Sequence, residues 1–400
     1  MECRRELCEG GALQILAMAS TIFDSTLNQH QENYDEPLIK HAIELSASDI
    51  HIEPHETFSR IRFRQDGLLY EITEIPRKLS DLLITRLKVL AKLDISERRL
   101  PQDGRFQQHQ TDIRINTCPT LFGEKIVLRL LNNQKSCFDL HSIGLTDLQK
   151  NIFLDALSKP QGMILVTGPT GSGKTVTLYS ALRHLNTSEK NISTVEDPIE
   201  IMLPGINQVN IHPRIGLHFS TVLRTFLRQD PDVIMVGEIR DLETAEIAIQ
   251  AAQTGHLVLS TVHSNHSIDT LTRLLAMGIP AYHLARSISL IVAQRLLRVL
   301  CKYCKQQETL LTLSALPLDA PIYRAHGCNQ CLQGYQGRIG IYEFLPITDS
   351  IIQLILTNAA ATQIEAVARE QGFATLQENG LEKVSQGITS ISELNRVIRS

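Results

Sequence analysis

The sequence predicts an α/β protein in two parts: a small α+β domain, then a mostly parallel sheet with helices on its faces. Three observations predict this. Short alternating segments flank one helical pattern between residues 37 and 134. Beyond them, apolar runs and helical patterns take turns along the chain, which is the signature of βα units. A glycine-rich turn, "GPTGSGKT" at 168–175, sits between one such run and the helix after it. With 400 residues, 43% hydrophobic and 20% charged, the chain can bury two ordinary cores.

In chain order, residues 1–36 read as an N-terminal extension. It has the basic residues, short apolar stretch and small residues of a signal peptide, but Glu2, Glu6 and Glu9 interrupt the pattern, so the expectation is a cytoplasmic protein. In the domain at 37–134, "SRIRFRQDGLLYEI" predicts a hairpin turning at "QDG", "SDLLITRLKVLAKL" a helix, and "DIRINTC" a strand. Residues 135–146 are polar and aperiodic, and read as a linker. From 147 to 400, strands are predicted at "GMILVT", "ISTVE", "DVIMVGE" and "HLVLSTV", with helices at "VTLYSALRHL" and "LETAEIAIQAAQ"; beyond Ile347 the tail reads as helices. The apolar run "SISLIVAQRLLRVL" is broken by Arg295 and Arg298, too soon for the roughly 20 apolar residues of a bilayer helix. A net charge of -4 and the absence of Trp argue against a protein that coats nucleic acid, leaving room only for local basic patches.

The glycine-rich turn carries the chemistry. Gly168, Pro169, Thr170, Gly171, Ser172, Gly173, Lys174 and Thr175 fit the phosphate-binding pattern. Backbone N–H groups of Gly171, Ser172 and Gly173 can wrap a β-phosphate at the positive end of the following helix. Lys174 is placed for the β/γ oxygens, and the Thr175 hydroxyl for Mg²⁺. ATP with Mg²⁺ is therefore the expected ligand. A later strand, "DVIMVGEIRD", ends in Gly237 and Glu238 where most such proteins have an aspartate before the glutamate. Other acids must then help to hold the metal, and Glu196, Asp197 and Glu200 of "TVEDPIE" are the suppliers in view. Either Glu238 or Glu200 could polarise the attacking water.

The cysteines are uneven. "CKYC" (Cys301, Cys304) and "CNQC" (Cys328, Cys331) form two pairs separated by 23 residues, a spacing that suits tetrahedral structural zinc. A redox disulfide or two chance pairs are the alternatives. Cys3, Cys8, Cys118 and Cys137 have no such partners.

In the order "GPTGSGKTVTLYSAL", "VEDPIE", "RQDPDVIMVGEIRD" and "AAQTGHLVLSTVHSN", the chain resembles the secretion ATPase superfamily that powers type IV pilus assembly and type II secretion. "ASDIHIEP", "RLKVLAKLDISERRLPQDGRF" and "PTLFGEKIVLRLL" resemble that family's N-terminal domain, so the likeness runs from about residue 37 to the end. The resemblance implies a PAS-like domain joined to a RecA-like ATPase domain that includes the zinc segment 301–331. It also implies a homohexamer at the cytoplasmic face of the inner membrane, acting on an integral platform protein, with peripheral membrane association and no direct nucleic acid. It places the catalytic glutamate on Glu238 and an acidic box on Glu196, Asp197 and Glu200. A histidine box falls on His256 and His263, and two γ-phosphate arginines fall on Arg114 and Arg129.

Three departures qualify it. Many assembly motors carry a further N-terminal docking domain, whereas 36 residues precede the matched region here. After "STVH" this chain reads "SNHS", leaving His266 without a role. The cysteine clip is usual in assembly and secretion motors and usually missing from retraction motors, so it favours extension. Retraction, DNA uptake and, behind them, nucleic-acid translocation are the alternatives.

Overall fold

A computed structural model of the chain describes residues 34–131, 138–308 and 321–398. The extension 1–36 lies almost wholly outside these, as do Cys137 and the start of the linker. The chain divides into two compact units. The first takes in Met1–Gln134, Leu300–Gln306 and Ala325–Gly337, so the four paired cysteines fall within it; the second takes in Lys135–Val299, Gln307–Arg324 and Arg338–Ser400.

The first unit is built on an antiparallel sheet. Helix α1 (Asp35–Glu44) leads into β1 (Asp49–Pro54), β2 (Phe58–Gln65) and β3 (Leu68–Pro76), then α2 (Arg77–Leu90), β4 (Gln102–Gln108), β5 (Thr111–Thr120) and β6 (Gly123–Leu131). The strands lie in the order β3-β2-β1-β6-β5-β4. The β2–β3 hairpin turns at Asp66 and Gly67, both at positive φ, a backbone twist that suits a two-residue turn between antiparallel strands. Alternation then sorts the faces: Ile50, Ile52, Ile61, Phe63, Ile113, Ile115, Ile126 and Leu128 point to the core under α1 and α2. Lys88 of α2 is buried in an ion pair with Glu124 (2.9 Å) and also donates to the Glu97 carbonyl (2.7 Å), which fixes the middle of the loop before β4.

The second unit opens with α3 (Asp147–Ser158), whose Thr146 and Gln149 form a capping box. Residues 138–146 do not behave as a spacer: Phe138, Leu140 and Ile143 are buried, and the Tyr342 hydroxyl donates to the Ile143 carbonyl (2.7 Å). There follow β7 (Gly162–Thr167), α4 (Lys174–Leu185), β8 (Ile192–Glu196), β9 (Asn207–Asn210), α5 (Phe219–Phe226), β10 (Val233–Val236), α6 (Leu242–Gln253), β11 (Leu257–Val262), α7 (Ser267–Ala276), α8 (Ala281–Ser287) and β12 (Ile288–Leu300). Two short strands, β13 (Gln306–Glu308) and β14 (Ile322–Arg324), pair with each other, and β15 (Tyr335–Pro346) returns to the main sheet. Helices α9 (Asp349–Leu356), α10 (Ala361–Glu370), α11 (Leu376–Ser385) and α12 (Ile391–Ile398) complete it.

This sheet runs β15-β12-β7-β11-β10-β8-β9, with β7 pairing in parallel with both β11 and β12. Its central strands are apolar on both faces because helices cover both. Ile164 and Val166 meet α3 and α4, while Met163 and Leu165 meet the cluster under α5 to α8. The run "SISLIVAQRLLRVL", assigned no element by the sequence, is β12. Among the described residues no helix is long and apolar enough to cross a membrane. The RecA-like α/β fold class stands.

Arg298 on β12 is buried, and so is its partner Glu393 on α12. The Glu393 carboxylate accepts from the Arg298 side chain (2.8 Å) and from Arg396 (2.6 Å). Burial alone would raise this carboxyl; the bonds from Arg396 and Arg298 overcome that and hold it down to about 2. Because its folded value lies below the unfolded one, the stabilisation is present above the ordinary carboxylate range and is lost as pH falls toward the folded value. Glu393→Gln should destabilise the second unit by about 3 kcal/mol at pH 7, since it leaves buried Arg298 without its counter-charge. Denaturant unfolding checks this, and the deficit should shrink as pH falls from 5 toward 2.

Candidate functional site

Parallel pairing brings four strand ends to one edge. Val262 pairs with Thr167, Val236 with Ser260, and Val236 with Val195. The residues just after these pairs therefore share one neighbourhood: Gly168, His263, Gly237 with Glu238, and Glu196 with Asp197. A cleft of about 150 Å³ is lined there by Lys174, Thr175, Glu196, Asp197, Glu200, Glu238 and His263, among others.

The loop before α4 has the geometry of an anion cradle. Gly168, Gly171 and Gly173 all have positive φ. A Cβ at Gly168 would come within 2.5 Å of the Gln294 carbonyl, and one at Gly173 within 2.8 Å of its side-chain amide, so β12 running behind the loop requires glycine at both. The Ser172 hydroxyl is buried without a partner among the described residues, a polar atom still able to bond a phosphate. Lys174 donates to the carbonyls of Gly168 (2.7 Å) and Pro169 (3.1 Å). Burial pushes its ammonium down to about 8, with Glu238 pulling the other way and Arg295 adding to the fall. These residues fit a nucleotide triphosphate with magnesium.

The carboxylates are not equivalent. Glu238 is gripped by Arg240 (2.5 Å) and His263 (3.3 Å). Glu196, buried at the end of β8, accepts from Tyr179 (2.5 Å), Thr194 (2.7 Å) and Gln208 (3.1 Å). Burial first, and then this carboxylate, raise the Tyr179 phenol above its usual range. With both oxygens engaged, Glu196 anchors the end of β8, while Asp197 and Glu200 line the cleft. Gly237 stands where an aspartate is common; a Cβ there would meet the Val195 carbonyl at 3.3 Å and Glu196 Cα at 3.4 Å, a tight fit that a shift of a few tenths of an ångström would relieve.

His256 and His263 bracket β11. His263 lies at the cleft, but His256 precedes the strand, where its ring contacts the Ala251 carbonyl (3.0 Å). A six-residue strand is roughly 20 Å long, so the two histidines sit at opposite edges of the sheet.

Sequence reasoning missed two arginines. Arg240 follows Glu238 by two residues. Arg295 donates to the Gln294 carbonyl (3.0 Å) and to Asn265 (3.1 Å) beside Gly168, and burial lowers its pKa. The signal was available: a cation inside an apolar strand needs acceptors.

In the first unit, the sheet face opposite the core is charged. Arg105, Arg114, Arg129, Asp49 and Arg64 form one cross-strand row over β4, β5, β6, β1 and β2. Arg129 pairs with Asp49 (3.0 Å), a partner the sequence did not suggest, and Arg64 approaches the same carboxylate (3.6 Å). Glu53 holds Arg62 (2.8 Å) and Lys125 (2.9 Å); burial opposes its ionisation, but these bonds bring it to about 2. Arg114 faces Arg105 and Arg129 and has no ion-pair partner among the described residues.

The four cysteines converge. The sulfurs of Cys301, Cys304, Cys328 and Cys331 all lie within 4.8 Å of one another. Adjacent pairs stand 3.6 to 3.8 Å apart, close to the ~3.8 Å edge of a tetrahedron with 2.3 Å zinc–sulfur bonds. Backbone N–H groups of Gly327 and Cys328 donate to Cys304 and Cys331 (3.3 Å each), as thiolates require. Gly334 allows the loop to close, since a Cβ there would meet Ala325 at 2.6 Å. The cluster fits structural zinc. Cys118 is exposed and apart from it.

Residues 27–396 match the family described as type II/IV secretion system protein. The chain is 53% identical over 372 residues to the type IV pilus assembly ATPase PilB of Pseudomonas aeruginosa, covering 90% of this chain and 66% of that protein. It is 47% identical over 383 residues to the type II secretion system ATPase E of Vibrio cholerae, covering 91% of this chain and 76% of that one. A crystal structure of the pilus retraction motor PilT with bound ADP aligns with a TM-score of 0.61 and 27% identity, covering 90% of this chain and 96% of that one. The chain thus spans about two thirds of the length of the pilus-assembly relative.

Glu238→Gln is expected to leave ATP binding intact while lowering turnover at least about a hundredfold, the scale of a general base or water-positioning group. Binding and steady-state hydrolysis measured on one preparation check it; near-normal turnover would transfer the role to Glu200. Metal analysis of the purified chain should return about one zinc. A metal-free chain whose segment 300–337 resists protease as well as the holoprotein would refute a structural zinc.

Proposed function

Because the chain belongs to the type II/IV secretion system protein family, we propose that it is a motor ATPase that powers type IV pilus assembly or type II secretion. In this reading it works as a homohexamer on an inner-membrane platform protein, from the cytoplasmic face. The observation that carries the reading is the cleft that gathers Lys174, Thr175, Glu200, Glu238 and His263 at one sheet edge.

The chain's own residues divide the work. Amides of Gly171, Ser172 and Gly173 bind phosphate oxygens, and Lys174 meets the β/γ charge. Thr175, with Asp197 and Glu200, would hold magnesium, which supplies charge neutralisation on the phosphates. Glu238 orients and deprotonates the attacking water, and His263 and Arg240 fix its rotamer. His256, at the far edge of the sheet, takes no part in this chemistry. Arg114 and Arg129 bring positive charge to the γ-phosphate, which Lys174 and magnesium neutralise only in part. Support for that role comes from the row itself: Arg114 stands opposite both Arg105 and Arg129 with no ion-pair partner among the described residues, whereas Arg129 is already paired with Asp49, and like charges directly opposite repel unless an anion joins them.

The cysteine cluster favours assembly or secretion over retraction, since retraction motors of this superfamily usually lack it. The test is a deletion strain beside an ATPase assay and a pull-down of the platform protein. Loss of pili or of secreted substrate supports the reading; retained, unretracted pili would reverse it toward retraction, and loss of transformation alone toward DNA uptake. DNA-stimulated, salt-sensitive turnover would revive a translocase.

Arg114→Ala and Arg129→Ala should each reduce turnover by about a thousandfold while the domain stays folded, the scale of arginines that meet a transferring phosphoryl group. ATPase rate beside a thermal melt checks this, and folded variants with normal turnover would leave the two arginines a structural part only.

A further inference from the structure

The four residues after β11 are each fastened to a different element. His263 meets Glu238 (3.3 Å). The Ser264 amide donates to the Thr167 hydroxyl (2.8 Å), immediately before the phosphate loop, and its own hydroxyl meets Thr270 (2.6 Å). Asn265 accepts from Arg295 (3.1 Å), and His266 contacts Glu343 of β15 (3.0 Å). A segment pinned at every residue has little freedom to adjust one contact without the others.

Glu343 is the deepest of these anchors. It is 2% exposed, and four donors reach its carboxylate. One oxygen accepts from His266 Nδ1 (3.0 Å) and from the Leu376 amide (3.1 Å), the other from the Ser267 amide (3.0 Å) and hydroxyl (3.2 Å). Ser267 and Leu376 are the first residues of α7 and α11, so one buried anion satisfies orphan amides at two helix N-termini and complements both dipoles. His266 is its only side-chain cation contact among the described residues.

We propose that His266 and Glu343 are a positioning pair for the hydrolytic step: they hold segment 263–266 so that His263 keeps Glu238 in place, and they tie that segment to the start of helix α11. Hydrogen bonding to Glu343 raises the His266 pKa against the effect of burial, so its positive form persists above the ordinary histidine value. The other charges facing His266 are Asp269 on α7, which favours the cation, and Arg295 on β12, which opposes it. Across the adjoining 710 Å³ cavity stand Glu365 and Arg369 of α10 and Glu378 of α11, with Arg369 already paired to both acids. Deprotonation leaves a neutral ring that can still donate from Nδ1 but no longer supplies the charge. Turnover should therefore fall as pH rises through the pKa of His266.

This inference rests on the ATPase reading above. The experiment measures ATP turnover of the full chain from pH 6 to 9 for wild type, His266→Gln, which keeps a neutral donor, and His266→Ala, which keeps none. Wild-type kcat should drop about tenfold across the range, as expected for loss of a charged hydrogen bond, with KM for ATP unchanged within about twofold. His266→Gln should sit near the high-pH wild-type rate throughout, without the inflection, and His266→Ala should sit lower still. Lys174, held near 8, can add an inflection of its own, so the decisive comparison is the wild-type inflection that His266→Gln removes. A pH profile of the same shape in wild type and His266→Gln belongs to another group and overturns the proposal. So does a loss that appears equally in KM and in the melting temperature, since that marks a purely structural role. A wild-type chain with no turnover overturns the motor reading and this inference with it, whereas normal turnover in both variants overturns this inference alone.

Discussion

The site depends on one constraint, the parallel in-step pairing of β7, β8, β10 and β11. Strands that run the same way and start in register finish at the same end of the sheet, here within two residues of one another, so whatever follows each of them is delivered to a common edge. There the phosphate loop needs glycine because β12 lies close behind it, and Glu238 needs partners because it emerges half-buried. The helices that cover the two faces keep the strands in step: each buried apolar side chain adds roughly 1.5 to 3 kcal/mol, and together they resist any slip of one strand along another. Chemistry at the edge is thus a product of packing in the middle.

What was legible in the sequence was local. The glycine turn, the helix at 242–253, the hairpin at Asp66 and Gly67 and the paired cysteines all carry their signal within a dozen residues, where spacing alone fixes geometry. Position along a strand was harder to read. His256 and His263 belong to one short stretch of sequence, yet a strand carries its two ends to opposite edges of the sheet. Glu196 looked like a free acid because its partners, Tyr179 and Gln208, come from elsewhere in the chain. Residues 138–146 looked like a spacer because Phe138, Leu140 and Ile143 are scattered among polar neighbours, and only the fold gives them a common surface. The apolar run that became β12 was long enough to be weighed as a membrane span but hid Arg295, whose acceptors are loop carbonyls that no motif describes.

The first unit shows a different economy of charge. Its central strand β1 contributes two buried acids, Asp49 and Glu53, and these serve as anchors for arginines and a lysine from both neighbouring strands. Neutralisation fades with distance from β1. By β5 and β4 the row has passed beyond its acids, and Arg114 and Arg105 stand opposite each other without one. Toward that edge the acids fall in the neighbouring rows instead, Asp103 opposite Asn116 and Asp112 opposite Gln107, so charge balances across rows and not within this one.

Gly237 carries a consequence for how tightly this edge is built. A Cβ there would stand 3.3 Å from the Val195 carbonyl and 3.4 Å from the Glu196 Cα, so a side chain could enter only if the end of β8 gave by a few tenths of an ångström. That end is tethered by the bonds of Glu196 to Tyr179, Thr194 and Gln208. The clearance beside Glu238 is therefore set by the three side chains that hold Glu196, and loosening any of them would change the room available at 237 as surely as a substitution there.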